Sequence, residues 1–503
     1  MTISVSFGIM KIMIDNKMEK LVSLAKRRGF FYPGSDLYGG LANTYDYGPM
    51  GAELLRNIKN LWWKTFVTKR ADMVGIDASI ISHHKIWEAS GHVAGFADAM
   101  VDCRNCKLRI RADHLIENWL DNQDSEDLVR KEIKMETLSE KSLSYHLRNK
   151  KVEGLNTEQL NEFIQVFNIP CPSCGFKPNE KDNWTKVRKF NQLFPVQLGL
   201  VEGEGGAGYL RGETAQGMFV NFQNVLNSTR VRLPFGIAQI GKSFRNEITP
   251  GNSIFRTIEF EQGEIEYFFD PKKTSWESLF EEWKKEMYDF VTKKLGTSKE
   301  NLRWRPHSDE ERSFYSKRTE DLEYEFPFGY KELWGLAYRT NYDLIAHQEF
   351  SKKDLTFTDP MSGEKIVPHV IEPAVGINRL MLMVLCDAYE EIGERLVLKF
   401  KPSLAPIKAA VFPLVANKEE ITGKAREVYE GLLGNINGKI QWDDRGNIGK
   451  RYLAQDEIGT PFCITIDYQT LEDNTVTIRH RDTAEQERVG VDSLNTYINS
   501  KLQ

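Results

Sequence analysis

Apolar residues recur at helical spacing in several parts of the chain. The stretch AELLRNIKNLWWKTFV, which follows a turn at Tyr45–Gly51, carries them on one side of a helix. The segment Trp276–Leu295 has the same amphipathic pattern. The longest apolar run, Leu380–Leu385 in RLMLMVLC, is much shorter than the roughly 18 residues of a membrane span. The pattern therefore predicts a buried helix at this run and no membrane segment.

Strand-like segments and turns dominate two other regions. They cover 183–269 and Trp304–His347, where hairpin turns separate the strands more often than helices do. A large antiparallel sheet is therefore predicted in preference to a doubly wound parallel sheet.

Changes of pattern along the chain predict an α+β protein with several parts. A Lys-, Glu- and Leu-rich helical stretch interrupts the strand-rich region and has the character of an insertion. After Pro406, short strands alternate with helices, as in a separate α/β domain. The predicted parts are an amino-terminal extension (1–17), the first part of the main domain (18–100), the insertion (101–182), the second part of the main domain (183–402) and a C-terminal domain (403–503).

One predicted hairpin concentrates opposite charges. In GKSFRNEITPGNSIFRTIEFEQGEIEYFF (241–269), Arg245 and Glu247 are expected on one face of the first strand. Such a hairpin suits a phosphorylated aromatic ligand that also carries a positive charge, while a solvated hairpin with ion pairs is the alternative. One face of the second strand is predicted to carry Arg256, Phe260, Gln262 and Glu264.

These residue types suit a reaction at the α-phosphate of ATP. A carboxylate that attacks this phosphate develops negative charge, which a fixed guanidinium such as Arg245 stabilises better than a mobile ammonium. Glu247 could accept a hydrogen bond from the adenine amino group or hold Arg256 in place. Phe260 could stack on adenine.

A nearby phosphate-loop pattern has a different interpretation. Gly236–Ser243 matches G-x4-G-K-[ST], which requires a flexible loop followed by a helix. Its interior, IAQI, is apolar, and the continuation SFRNE is strand-like. This segment is therefore predicted to be a strand.

One further motif points to the same site, and a second does not do so by itself. In VIEPAVGINR, a strand is expected to end at a Pro/Gly turn, and a helix begins with Arg379 in its first turn. A cation there opposes the helix dipole, so a triphosphate partner explains its position better than a structural ion pair. In RGETAQG, Thr214 and Gln216 are consistent with a simple helix start.

Composition limits the classes of function. The chain has 503 residues, of which 28% are charged, and its net charge of −5 gives no general case for nucleic-acid binding. Two to four domains are expected for this length. The amino-terminal lysines follow the first apolar run instead of preceding it, so a signal peptide is not predicted and Met18 is expected to open the folded protein. The pairs Cys103/Cys106 and Cys171/Cys174 favour a zinc site over disulfides, with reduced buried thiols as the alternative.

Seven blocks in order resemble the class II aminoacyl-tRNA synthetases, specifically the homodimeric type of glycyl-tRNA synthetase. The resemblance covers nearly the whole chain after Met18. The blocks are YDYGPMGAELLRNI, VDCRNCKLRIRAD, RGETAQG, FRNE with FRTIEFEQGE, YKELWGLAYRTNYDL, EPAVGINR and DDRGNIGKRYLAQDEIGTPFCITID. The alternatives are a non-catalytic synthetase-like subunit and a synthetase for another amino acid.

The resemblance implies a fold and a reaction. It implies a six-stranded antiparallel catalytic sheet flanked by helices, a dimer interface at the first block, a zinc-knuckle-like insertion and a C-terminal anticodon-binding domain. The reaction would join glycine and ATP, with Mg²⁺, to form glycyl-adenylate and then transfer glycine to tRNA(Gly). A cytoplasmic homodimer without membrane contact is expected.

The resemblance also implies which residues bind each substrate. Arg245, Glu247 and Arg379 would be catalytic. Glycine would contact Arg111, Glu213, Phe260, Glu261, Gln262, Gly263, Glu264, Glu372, Pro373, Ala374, Val375 and Gly376. ATP would contact Arg245, Asn246, Glu247, Phe255, Arg256, Thr257, Ile258, Glu259, Phe260, Glu332, Leu333, Gly376, Ile377, Asn378 and Arg379.

Three positions depart from the family pattern. Gly212 replaces the proline of RPETAQ, and Gly251 stands where an arginine is common. Ala374 replaces the serine of EPS at the glycine pocket, so the hydroxyl at that position is missing.

Overall fold

The computed structural model describes residues 17–502 except Phe96, Glu132, Glu153, 177–183, 200–206, 248–250, Glu310 and Phe314. The predicted extension at 1–17 lies outside the described residues apart from Lys17, where a helix is already present. No helix in the described part of the chain is both long enough and apolar enough to cross a membrane.

The predicted helix near the amino end is confirmed as α2, which buries Leu54, Ile58 and Trp62 and continues as a π-helix over Lys64–Thr68. Proline at its start suits the first turn, where a backbone N–H has no helical partner. The elements of this part are α1 (17–28), β1 (Phe31–Pro33), β2 (Tyr45–Tyr47), α2 (Pro49–Trp63), β3 (Met73–Gly75), β4 (Ile81–His83), α3 (His84–Ala89) and α4 (His92–Gly95).

The insertion has its own apolar core and its own sheet of order β6-β5-β7. The sheet begins at Ala97 and ends at Asn191, so it extends past both ends of the predicted range 101–182. Its elements are β5 (Ala97–Asp102), β6 (Arg109–Arg111), α5 (Ala112–Asp121), α6 (Ser125–Arg130), α7 (Glu140–Asn149), α8 (Thr157–Val166) and β7 (Arg188–Asn191).

The main domain then builds most of a large sheet and the helices on its two faces. Its elements are β8 (Phe194–Gln197), β9 (Ala207–Leu210), α9 (Ala215–Val220), α10 (Phe222–Ser228), β10 (Phe235–Phe244), β11 (Glu259–Phe269), α11 (Trp276–Asp289), β12 (Leu302–Pro306), β13 (Arg318–Phe326), β14 (Gly329–Thr340), α12 (Tyr342–Ser351), β15 (Phe357–Thr358), β16 (Lys365–Ile366), β17 (His369–Gly376), α13 (Ile377–Ala388), β18 (Tyr389–Ile392) and β19 (Arg395–Leu398).

The large sheet has the order β12-β13-β14-β17-β11-β10-β3. Strands β12 to β10 in this order pair antiparallel, which confirms the expected six-stranded antiparallel sheet. β3 adds a short parallel edge strand beside β10. The phosphate-loop pattern at Gly236–Ser243 lies within β10 and is a strand, as predicted.

The two faces of this sheet have different coverings, and β11 shows the division. Ile265, Tyr267 and Phe269 point into the core under α2, α11 and α13, while Phe268 packs beneath α9 and α10. The run Leu380–Leu385 lies in α13 and is buried, which confirms the predicted buried helix. Residues of β11 with even numbers therefore face the side on which the main cavity opens.

The C-terminal part is an α/β unit, as predicted, with a sheet of order β21-β20-β22-β23-β24 and a separate core. β20 pairs parallel with β21 and β22, whereas β23 and β24 are antiparallel. Its elements are β20 (Ile407–Pro413), α14 (Glu419–Leu433), β21 (Lys439–Trp442), α15 (Ile448–Ile458), β22 (Phe462–Ile466), α16 (Tyr468–Asp473), β23 (Thr475–His480), β24 (Gln486–Gly490) and α17 (Leu494–Lys501).

Candidate active site

A cavity of about 250 Å³ lies on the exposed part of the large sheet, opposite the core that α2, α11 and α13 cover. Strands β11, β13, β14 and β17 form its floor, and the connection between β10 and β11 forms one wall. The predicted site residues that line it are Glu213, Arg245, Glu247, Phe255, Arg256, Thr257, Phe260, Gln262, Glu264, Glu332, Glu372, Ala374, Val375, Gly376, Asn378 and Arg379.

The β-pleat places several other predicted side chains away from this cavity. Glu261 forms an ion pair with Lys59 at 2.8 Å. A Cβ on Gly263 would lie 3.2 Å from Trp62, on the core side of the sheet. Strand neighbours alternate between faces, so Glu261 and Gly263, which come between Phe260, Gln262 and Glu264 in β11, point away from the cavity. The predicted residues that do not line the cavity are Arg111, Asn246, Ile258, Glu259, Glu261, Gly263, Leu333, Pro373 and Ile377.

Arg111 lies at the edge of the insertion. It ends β6 and forms ion pairs with Asp98 at 3.1 Å and Asp113 at 2.5 Å. Its guanidinium is therefore held by two carboxylates of the insertion, and the charge of Glu247, which lines the main cavity, also acts on it.

Both strands of the charged hairpin are shorter than predicted. β10 ends at Phe244 and β11 begins at Glu259, so Arg245, Glu247 and Arg256 lie in the irregular connection and not on strand faces. The Arg245 N–H donates to the Ile258 carbonyl at 2.9 Å, and the Asn246 N–H donates to Gln192 at 2.8 Å. These bonds replace the regular ladder and fix the connection over the cavity.

Two arginines stand over aromatic rings at this wall. The Arg245 guanidinium lies 5.4 Å from the centre of the Phe260 ring and donates from Nε to the Gly212 carbonyl at 3.0 Å. The Arg379 guanidinium lies 4.5 Å from the centre of the Phe255 ring. Both guanidinium groups are thus held in place, and both line the cavity.

Arg379 also forms a structural ion pair, which the sequence analysis considered as the alternative to a triphosphate partner. Its Nη1 lies 3.0 Å from Glu332 Oε2. The charge of Arg379 outweighs the opposing effect of burial and lowers the pKa of Glu332. The predicted turn before this helix is wrong, because β17 continues through Pro373 to Gly376 and α13 begins at Ile377.

Buried carboxylates converge at the other end of the cavity. The side chains of Glu264, Glu372 and Glu213 are buried, with residue exposures of 1%, 7% and 6%. Glu264 accepts hydrogen bonds from the Thr214 hydroxyl and from Gln262 Nε2. The helix start predicted at RGETAQG is confirmed, but the Thr214 hydroxyl serves Glu264 and makes no side-chain cap.

The neighbours of each carboxylate set its protonation. Burial, followed by the charges of Glu372 and Glu213, raises the pKa of Glu264 well above its usual range. Burial also favours the neutral form of Glu213, but the charge and hydrogen bond of His92 outweigh it and lower the pKa of Glu213. His92 Nε2 lies 3.2 Å from Glu213 Oε2. A cation that enters between these groups would favour the ionised form of Glu264.

Arg339 is a cation that the sequence analysis missed. Its Nη1 donates to both oxygens of Glu372 at 3.0 Å, and its Nε and Nη2 donate to Asp343 at 2.8 Å. The block YKELWGLAYRTNYDL contains both Arg339 and Asp343, four residues apart. No such local signal links Arg339 to Glu372, which is distant from it in the sequence. Further lining residues that the sequence analysis missed are Ile254, His307, Ser313, Tyr315, Thr319, Asp321, Gly335, Leu336 and Ala337.

The four paired cysteines come together at the base of the insertion. Sγ atoms are 3.9 Å apart for Cys103 and Cys174, and 3.6 Å apart for Cys106 and Cys171. All four sulfur atoms lie within 4.8 Å of one another. A tetrahedral zinc ion with Zn–S bonds of about 2.3 Å separates its sulfur ligands by about 3.8 Å. The donor set and its spacing therefore fit a four-coordinate metal ion.

Family models match three parts of the chain. Residues 201–388 match the tRNA synthetase class II core domain (G, H, P, S and T), and residues 408–501 match an anticodon binding domain. Residues 98–192 match glycyl-tRNA synthetase insertion domain 1.

Curated relatives match nearly the whole chain. The glycine–tRNA ligase of Alkaliphilus oremlandii is 48% identical over 97% of this chain and 99% of its own length. The glycine–tRNA ligase of Clostridium tetani has the same identity and coverage. That of Caldanaerobacter subterraneus subsp. tengcongensis is 48% identical over 97% of this chain and 98% of its own.

Proposed function

We propose residue roles for the active site of this chain, which belongs to the glycine–tRNA ligases, a family of class II aminoacyl-tRNA synthetases. The chain is an enzyme that attaches glycine to tRNA. The identity with glycine–tRNA ligases over nearly the whole chain argues against both alternatives, a non-catalytic subunit and a synthetase for another amino acid.

The glycine site is proposed at the carboxylate end of the cavity. The observation that carries this proposal is the convergence of buried Glu264, Glu372 and Glu213, which are suited to one ammonium group. Glycine has no side chain, so selection requires contacts with its ammonium and carboxylate and a wall that excludes a Cβ. Ala374 and Gly335 are paired on neighbouring strands and line this end.

ATP is proposed to lie along the side of the cavity that carries Arg245 and Arg379. Phe260 and Phe255 offer ring faces, and Arg245 and Arg379 offer cations for the phosphates. Glu247 lies 3.9 Å from Arg256, which supports its role in holding that arginine.

Class II cores use ATP with Mg²⁺. The carboxylates of Glu332 and Asp321 also line the cavity, and hard oxygen donors of this kind fit Mg²⁺. When bound, Mg²⁺ offsets triphosphate charge.

Two transfers follow from this arrangement. A glycine carboxylate oxygen attacks the α-phosphorus of ATP, a new P–O bond forms, and the bond to pyrophosphate breaks. A terminal ribose hydroxyl of tRNA(Gly) then attacks the glycyl carbonyl, and AMP leaves. Neither transfer requires a protein nucleophile, because positioning and charge stabilisation lower the barriers.

Glycine-dependent pyrophosphate exchange tests the proposed glycine site. Glu264→Gln removes a charge-assisted bond and should raise the KM for glycine about 10-fold or more. Ala374→Ser restores a hydroxyl and should lower this KM a few-fold or leave it unchanged, because a neutral hydrogen bond contributes only about 0.5–1.5 kcal/mol.

Glu320→Gln is the matched control for Glu264→Gln. Glu320 is also a buried strand glutamate, but it pairs with Lys284 and Arg318 outside the cavity. Efficient exchange with alanine or serine by the unmodified protein, or an unchanged glycine KM in Glu264→Gln, would contradict the proposed site.

We also propose that Cys103, Cys106, Cys171 and Cys174 hold one structural Zn²⁺. Metal analysis should find about one zinc per chain. Cys171→Ser should lose the zinc and lower the thermal stability of the insertion, while Cys463→Ser, which changes a lone buried cysteine, should retain it. Metal-free protein with a fully ordered insertion would contradict the zinc site.

A homodimer is proposed through the region of the first block. Leu37 and Tyr38, in the connection between β1 and β2, are each 88% exposed. Adjacent exposed apolar side chains of this kind are typical of contact surfaces. The cytoplasmic location implied by the resemblance stays a prediction.

A further inference from the structure

Glu266 is a buried acid beside the proposed glycine site. Glu264 pairs with Ala374 and Tyr267 with Ile371, so Glu266 and Glu372 are side by side on neighbouring strands. Oxygen atoms of Glu264, Glu266 and Glu372 lie within 4.8 Å of one another. Glu266 therefore belongs to the same carboxylate group but lies one step deeper in the sheet.

The surroundings of Glu266 do not suit a negative charge. The residue is 0% exposed, and among the described residues neither of its carboxylate oxygens has a hydrogen-bond partner. The next side chain on this face, Phe268, belongs to the apolar core beneath α9 and α10. Burying an ionised carboxylate that no donor stabilises is strongly unfavourable, so the neutral form is favoured.

The nearby cation is already committed to other acids. Within the described residues, the hydrogen bonds of the Arg339 guanidinium go to Asp343 and Glu372. Glu213, the other acid near the cavity end, pairs with His92. Burial and then the charge of Glu372 raise the pKa of Glu266 well above its usual range, and the opposing charge of Arg339 does not offset them.

We propose that Glu266 is a positioning residue for glycine recognition: a neutral carboxylic acid whose hydroxyl donates to the carboxylate of Glu372, its neighbour on the adjacent strand. A donor to a carboxylate stabilises its ionised form, which is the form that an ammonium group requires. Glu266 thereby keeps one of its neighbours charged and oriented toward the cavity without adding a charge. This inference rests on the proposed glycine site.

Two substitutions separate the donor from the charge. Glu266→Gln keeps the size and a neutral donor, so the KM for glycine should stay within about 2-fold of the unmodified value. Glu266→Met keeps the length but has no donor, so this KM should rise about 10-fold while the KM for ATP is unchanged. A purely structural role would lower the melting temperature without this selective effect on the KM for glycine.

Infrared difference spectroscopy gives a second measurement that does not depend on the Met variant. The spectrum of the unmodified protein minus that of Glu266→Gln should contain the carbonyl band of a protonated carboxylic acid. Absence of this band, or a KM for glycine that rises equally in the Gln and Met variants, would overturn the inference. If Glu264→Gln changes the KM and Glu266→Met does not, only the role of Glu266 fails; if neither changes it, the glycine site itself is misplaced.

Discussion

Replacing Arg245 or Arg379 by alanine should lower glycine-dependent pyrophosphate exchange by about 10² to 10³-fold while the protein stays folded. Loss of one fixed donor to a developing charge typically costs about 3–4 kcal/mol in the transition state. Both arginines line the cavity, and both are held over aromatic rings by contacts within the protein itself. Their preorganisation means that little reorganisation is needed when the charge develops.

A matched control is available on the edge strand. Arg303 stacks on Tyr330 at 4.0 Å and pairs with Glu323, which Arg305 also contacts. Arg303→Ala therefore removes a similar stacked and paired arginine outside the cavity, and exchange should change by less than about 2-fold. Near-normal exchange in Arg245→Ala or Arg379→Ala, with far-ultraviolet circular dichroism intact, would show that the residue has no role in adenylate formation.

The large elements were predictable because their signals are local. The amphipathic helices, the hairpin of β10 and β11, and the C-terminal α/β unit each follow from the periodicity of adjacent residues. The limits of the hairpin did not follow. Arg245 fits a strand pattern, but its N–H pairs with Ile258 in an irregular connection.

The face of each site residue was only partly predictable. The period of two already placed Phe260, Gln262 and Glu264 together, and all three line the cavity. Carrying over the continuous block also added Glu261 and Gly263, whose positions on the strand point to the core side. A continuous sequence motif contains the side chains of both faces of a strand, whereas a cavity on one side of the sheet is lined mainly by those of one face.

Contacts between residues that are far apart in the sequence were the hardest to predict. His92 lies far in sequence from Glu213, and Arg339 is separated from Glu372 by three elements, yet each pair is in direct contact. Only the tertiary fold brings such groups together, and a single sequence contains no periodicity that reports it.

Arg339→Leu should destabilise the protein by about 3–5 kcal/mol, because it leaves the buried carboxylates of Asp343 and Glu372 without their cation. The exposures of the three side chains are 1%, 2% and 9%, so water cannot replace the lost donors. Urea unfolding followed by circular dichroism measures the lost free energy of unfolding. Arg339→Lys keeps the charge but not the fork of donors, so its stability should lie between that of the unmodified protein and that of Arg339→Leu.

The pH dependence distinguishes loss of the cation from loss of packing. Burial already raises the pKa of Glu372, and the charge of Arg339 opposes this effect, so without Arg339 this carboxyl group should bind its proton still more tightly in the folded than in the unfolded state. A raised pKa in the folded state gives stability that is present at low pH and lost as pH rises. The deficit of Arg339→Leu should therefore grow as pH increases above the usual carboxyl pKa of about 4. A deficit that is constant with pH would assign the effect to packing, since a cavity carries no charge to titrate.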